Sequence, residues 1–378
     1  MSEYQYYEFQ AIDRPLTAEE MDDLRSFSTR ARISPTSFVN DYAWGSFRGN
    51  ADAWMENYFD AFLHLANWGT HVLKLRLPSR LLDPTTAQAY CGGDSASVHE
   101  TSGKVILSFV SEDEGGEWVE GEGQLSSLIP VRAELARGDL RALYLGWLLR
   151  AQAGELDDEL REPPVPPGLG QLSPSLESLA EFLRIDDDLL AVAAEESPPL
   201  ANVALERDEV RAWIGTLAAR EKDELITNLL LDDDPYQVAE LLQRFLKQRS
   251  STDGVAAATG RTVGQLLEAA EAYTLKRIRI AAEKLAEEKA RQEREAAVAR
   301  EKQLERLVGR ESKLWAEIDD LVATKQPKSY DQAVKLLVDL RDLDSRSKGG
   351  EFQLRMEAIR HAHARKHTFI KRLWKAGL

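Results

Sequence analysis

The chain has 378 residues, a hydrophobic fraction of 43% and a formal net charge of −16. This length supports two or three domains with real cores, and the composition falls between those of membrane and disordered chains. No apolar run approaches the roughly 18 residues of a membrane span, MSEYQYYEFQ lacks the regions of a signal peptide, and the single Cys91 excludes an internal disulfide or a Cys-only zinc site.

A cytoplasmic location is therefore expected. The charge is divided. Residues 1–254 hold 22 basic and 45 acidic side chains, whereas residues 255–378 hold 26 and 19. The acidic front disfavours non-specific nucleic-acid binding, so a polyanion partner is sought only in the rear.

The aromatic-rich front predicts an α+β module over residues 1–161. Tyr4 to Ile12 reads as a strand. Thr17 and Glu20 form a capping box that opens a helix through Met21, Leu24 and Phe27. Ser37 to Trp44 is a second strand. Asn50 to Asn67 reads as a helix, with Trp54, Tyr58 and Phe62 on one row and Met55, Phe59 and Leu63 on the next, stopped by Gly69. His71 to Leu77 alternates as a half-buried strand should, with Lys74 and Arg76 opposite the leucines. Ser97 to Val110 reads as a hairpin turning at Ser102-Gly103. This order implies helices on one face of a sheet. Leu128 to Ala153 returns to helix.

The run EPPVPPGLG marks a linker at residues 162–172, since clustered prolines favour an extended connection. Short helices then fill a domain at 173–249: Ser173 to Phe182, Asp188 to Glu195, Arg207 to Leu217, Glu221 to Leu231 and Pro235 to Gln248. Asp186 to Asp188 precedes Val192-Ala193, and Asp232 to Asp234 precedes Val238-Ala239, a spacing that hints at a helical-hairpin repeat. A second linker covers 250–261. Thr262 and Gln265 cap a long charged helix over 262–323, which would span roughly 93 Å. Its polar middle suits a helix that projects into solvent, bridges two bodies or pairs loosely as a coiled coil. Gln326-Pro327 ends it. Tyr330 to Leu343 and Phe352 to Trp374 complete a basic helical hairpin at 328–378. The whole is mainly helical.

Chemistry is sparsely marked. GVAAATGRT, from Gly254, differs from a phosphate-binding loop in its spacing, its Arg and the missing strand, so a linker and helix cap is the expectation. The Asp triplets lack EF-hand spacing and read as helix caps. His363 and His367 are one turn apart, as zinc ligands often are, but Arg360, Arg365 and Lys366 surround them and oppose a cation. His64 reads as a core or edge residue, His99 has no visible partner, and Cys91 has no assignable base. Tyr4, Tyr6, Tyr7 and Phe9 read as core aromatics rather than a base-stacking platform. No motif assigns a reaction, a metal or a cofactor.

The strongest candidate surface is the C-terminal helix. Arg360, Arg365, Lys366, His367, Lys371, Arg372, Trp374 and Lys375 combine charge with an aromatic, and Phe369, Ile370, Leu373 and Trp374 fall at helical spacing. Two interpretations stand together: a binding surface for phosphates, acidic protein or membrane, and an ordinary helix packed on Leu336, Leu337 and Leu340.

The blocks YYEFQAIDRPLT, SFVNDYAWGSFRG and YFDAFLHLANWGTHVLKLRLP resemble the start of a family of uncharacterised bacterial proteins. The resemblance covers about the first 80 residues. It implies a bacterial origin and a recurrent front module, and transfers no activity or site residue. The resulting expectation is a non-enzymatic interaction or scaffold protein with a long helical arm, another protein being its partner and its oligomeric state open. The alternative is a nucleic-acid accessory acting through the C-terminal helix.

Overall fold

The computed structural model describes residues 4–43, 45, 47–113, 120–200, 206–231, 234–250, 260–347 and 350–378. Trp44, Asp232-Asp233, the glycine-containing stretch 251–259 and Lys348-Gly349 lie outside them. The chain forms two compact units, Met1–Arg277 and Ile278–Leu378.

The first unit is built on seven antiparallel strands: β1 (Gln5–Gln10), β2 (Arg32–Ser34), β3 (Ser37–Tyr42), β4 (Ala61–Ala66), β5 (Thr70–Pro78), β6 (Ala96–Thr101) and β7 (Lys104–Glu112). Their order across the sheet is β2-β3-β1-β4-β5-β7-β6. Register follows side-chain alternation: Tyr7 sits opposite Asn40 and His64, and Leu73 opposite Leu63 and Phe109. The hairpin turns at Ser102-Gly103 as expected, both residues having positive φ.

Alternation gives the sheet two buried faces, each with its own core. Tyr7, Phe9, Phe38 and Phe62 face Leu24 of α1 (Ala18–Phe27) and Trp54 and Met55 of α2 (Ala51–Asn57). Tyr6, Leu63, Leu73, Leu75, Leu107 and Phe109 join a larger core on the other side. Helices thus cover both faces, not one. The Thr17–Glu20 capping box forms as the sequence requires.

The helix expected over Asn50 to Asn67 is instead a two-turn helix and a strand. Asn50 caps α2 by accepting from the Ala53 N–H, and Ala61–Ala66 then pairs with β1 and β5. The run AFLHLA is apolar at every position but His64, so its own pattern fits helix or strand. Hydrogen bonding to a neighbour on each side decides it. Gly69 is therefore a hairpin-turn residue, at φ +97°, where a Cβ would meet the Asp113 carbonyl oxygen at 1.7 Å.

The second face is covered by α4 (Gln124–Leu128), α5 (Pro130–Ala136), α6 (Arg141–Gln152), α7 (Pro174–Phe182) and α8 (Asp187–Glu195). The helix expected over Leu128 to Ala153 breaks at Gly138, φ +90°. In α6 even Gly146 is enclosed, its missing Cβ leaving room for Phe109 and Cys91. The proline-rich segment is packed inside this unit: Val165 and Leu169 are buried in the same core, and Pro164 accepts from the Tyr90 hydroxyl.

Three further helices, α9 (Arg207–Thr216), α10 (Ala219–Leu231) and α11 (Gln237–Ser250), precede α12 (Val263–Leu307). The Thr262–Gln265 capping pair opens α12. Its 45 residues correspond to about 67 Å, shorter than expected, because Gly309 at φ +77° turns the chain before α13 (Glu311–Ala323). The second unit adds α14 (Pro327–Ser347), α15 (Glu351–Ala362) and α16 (His367–Lys375). The helix expected from Phe352 to Trp374 is thus two helices. Ile318, Val322, Leu337, Phe369 and Leu373 form this unit's own core. Among the described residues, no helix is long and apolar enough to cross a membrane.

Candidate functional site

The structure divides the basic C-terminal residues into two sets. Lys366 is half-buried, and its Nζ donates to the Val322 carbonyl at 2.8 Å. Arg372 donates to Asp331 at 2.6 Å. These two side chains are engaged by partners within the unit, Arg372 in a surface ion pair. Arg360, Arg365, His367, Lys371, Trp374 and Lys375 are exposed. The apolar residues between them split as well. Phe369 and Leu373 are fully buried, Ile370 is half-buried, and Trp374 keeps 76% of its surface in water.

His363 and His367 do not share a helix face, because the α15–α16 turn lies between them. His363 caps α15 and meets the Phe369 ring edge-on; burial and then Lys366 hold its pKa below the ordinary histidine value. Among the described residues, no group of three or more His, Cys, Asp or Glu side chains could hold a metal ion. Cys91 is fully buried, which pushes its thiol up to about 12. His99 does have a partner, Glu56 Oε1 at 3.1 Å.

Three buried polar networks in the first unit escaped the sequence pattern. In the first, Asp60 accepts from the Ile12 and Asp13 N–H groups and from Arg76 Nε and Nη2. Arg132 bonds Asp13 at 2.7 Å and the Arg76 carbonyl at 2.6 Å, lies over the Tyr236 ring, and approaches Asp60 to 3.5 Å. Tyr236 donates to Asp13. Burial opposes the Asp60 charge, but Arg76, Arg132 and the two backbone N–H groups outweigh it and hold its pKa below the usual carboxylate value. Arg76, read as the exposed side of a strand, is in fact buried.

In the second network, Glu162 accepts from Tyr144 and, at 2.8 Å, from Arg261 Nε and Nη2. It fastens the residues that lead into α12 to the proline-rich segment, together with the Arg161–Thr262 β-bridge. In the third, His71 Nδ1 lies 2.9 Å from the Phe182 carbonyl, and its Nε2 is 2.9 Å from Arg184 Nη2. The Arg184 guanidinium can only donate, so Nε2 accepts and the ring is neutral, with its proton on Nδ1. Burial, and more weakly Arg184, lower its pKa, against a rise from the Phe182 bond. His64, stacked on Tyr7 at 4.3 Å, is lowered to about 4, first by burial and then by His71.

The Asp186–Asp188 triplet serves the fold. Asp186 caps α8, while Asp188 accepts from Thr274 and Arg277. Asp234 accepts from the Tyr236 N–H and pairs with Arg80. An open groove of about 500 Å³ is lined by Asp94, Ser95, Ser111, Gln152 and Glu155. Its Glu155 carboxylate is occupied by the Asp94 and Ser95 N–H groups and the Ser95 hydroxyl.

Apolar surface is left uncovered elsewhere. α9 and α10 bury no residue, and Ile226, Leu229, Leu230 and Leu231 are 57%, 46%, 78% and 79% exposed. On α12, no side chain from Leu275 to Ala299 is buried. No protein-family model, no curated protein and no solved structure matches the chain.

Proposed function

We propose that this chain is an interaction or scaffold protein that presents α9 and α10, and the unburied stretch of α12, to another protein. The observation that carries this reading is the apolar surface of α10. Amphipathic helices in a globular unit normally bury their apolar face, and here Leu229 and Leu230 are exposed three and four residues after Ile226, on the same side of the helix, with Leu231 exposed further round it. Val238 on α11 adds a further exposed branched side chain. An apolar helix face left in water in this way suits an association site.

The test is a photo-crosslinking residue placed in the full chain at Leu230, with Arg220, 91% exposed at its side chain, as the control on the same helix. A discrete protein adduct at position 230 but not at 220 is expected. Equal diffuse labelling at both positions would sink the proposal.

A further inference from the structure

We propose that the exposed arc of α16 is a docking site for single-stranded nucleic acid, in which Trp374 is the stacking platform and Lys371 and Lys375 contact phosphates. This goes beyond a protein partner on α9 and α10 and rests on a separate surface.

The argument begins with helix geometry. Each residue advances about 100° around the axis, so relative to His367 the side chains of Lys371, Trp374 and Lys375 lie at about +40°, −20° and +80°. All four share an arc of about 100°. Phe369 and Leu373 lie on the opposite side and are fully buried, with Phe369 5.2 Å from the Tyr330 ring. Packing therefore fixes the orientation of the helix and sends the arc outward. On its flank, Arg372 occupies Asp331, so that carboxylate does not neutralise the arc. Lys371 and Lys375 make no ion pair among the described residues.

The cations alone would suit any polyanion. The indole narrows the choice. At 76% exposure it offers a flat π-face at the edge of the arc, beside the two lysines, and base–aromatic stacking of this kind requires an unstacked base. A duplex keeps its bases stacked, so a single strand fits better. An anionic bilayer fits less well. A membrane-surface helix inserts its apolar face, whereas Phe369 and Leu373 are committed to the unit's own core. From His367 to Lys375 the arc is about 12 Å long, the length of three to four stacked nucleotides.

The test is fluorescence anisotropy of the full chain with labelled 12-nucleotide oligodeoxythymidine and oligouridine, a 12-base-pair duplex, and phosphatidylserine vesicles as a separate arm. Both single strands should bind more tightly than the duplex. Two phosphate contacts predict that a fourfold rise in NaCl weakens binding about sevenfold. Trp374→Ala should lose about 5- to 140-fold, the range of one stacked base. Lys371→Glu with Lys375→Glu should lose at least about tenfold, while Arg372→Ala with Asp331→Ala, which removes that ion pair as a unit and frees no carboxylate, should stay within about twofold. Circular dichroism and melting curves establish that these surface variants remain folded. The proposal is overturned if Trp374→Ala and the double lysine variant both retain full affinity. It is equally overturned if the duplex is preferred with Trp374→Ala silent, or if vesicles bind and the oligonucleotides do not.

Discussion

α6 and the middle of α12 share one backbone geometry and have opposite surroundings. In α6, ten of twelve residues are buried, so tertiary contacts reach it from every side. From Leu275 to Ala299, α12 has no buried side chain and relies on alanines and surface ion pairs. A helix can therefore be imposed by its neighbours or sustained by its own sequence. The same contrast separates the charges. Asp60, Arg76 and Arg132 are paired in the interior, whereas Lys371 and Lys375 stand in water.

The contrast is broken most severely by truncation. Trp147→Ala in α6 should destabilise the protein by about 4 kcal/mol, because it removes a large side chain that is 1% exposed and leaves a cavity. Leu285→Ala in α12, where the leucine is 72% exposed, should change stability by less than about 0.5 kcal/mol. Urea denaturation monitored by circular dichroism measures both. Similar losses for the two variants would mean that α12 is covered in the free protein.

The charge contrast comes next. Asp60→Asn keeps the shape of the side chain but leaves Arg76 and Arg132 buried without their shared carboxylate. A loss of about 3 kcal/mol is expected, in the range for breaking a buried pair. Arg14→Gln, which breaks the more exposed pair with Glu20, should cost under about 1 kcal/mol. A stable Asp60→Asn variant would show that the Asp13 carboxylate alone suffices for Arg132.

These contrasts also explain what the sequence could reveal. The capping boxes at Thr17–Glu20 and Thr262–Gln265 and the turn at Ser102-Gly103 join residues at most three apart, so local chemistry dictates them. The buried pair of Phe369 and Leu373 is visible for the same reason, but Trp374, which the spacing groups with them, stands in water on the other side of the helix. Arg76 looked like a solvated strand residue because Asp60 is 16 positions away. Arg132 and Asp13 are 119 apart, and Tyr236 reaches Asp13 across 223. No local pattern encodes such pairings. Nor did spacing show that Arg372 is taken by Asp331, 41 residues earlier, or that Lys366 is taken by Val322. The proline-rich segment looked like a linker because proline favours extended backbone. Extended backbone can equally lie against a core, and Val165, Leu169 and the buried Glu162 place it there.

A subtler contrast concerns protons. His64 is held near 4, below the ordinary value of about 6.5, so the native state disfavours its protonated form. Unfolding restores the ordinary value. Stability from this group is full above pH 6.5 and declines as pH falls from 6.5 towards 4, because the unfolded chain then binds the proton that the native ring resists. About 2 kcal/mol is expected across that window, allowing for the water that still reaches the ring. Carboxylates titrate there too, so the measurement is the difference between wild-type and His64→Phe stability curves. Parallel curves would remove His64 as a source of acid sensitivity.

The smallest effect tests whether α12 sustains itself. Arg279 lies 3.4 Å from Glu283, one turn on, and Arg291 lies 2.7 Å from Glu288 and 3.9 Å from Glu295. Such pairs contribute about 0.2–0.5 kcal/mol each and are screened by salt. A peptide covering 275–299 should therefore be partly helical in dilute buffer and lose part of that helicity in 1 M NaCl. Glu283→Ala should reduce the salt dependence while leaving the high-salt helicity nearly unchanged, since alanine is itself a strong helix former. The opposite result, a peptide without helix at any salt concentration, would assign the order of this stretch to the anchored ends of α12, where Thr274 and Arg277 bond Asp188 and Arg300 bonds Asp339 and Asp342.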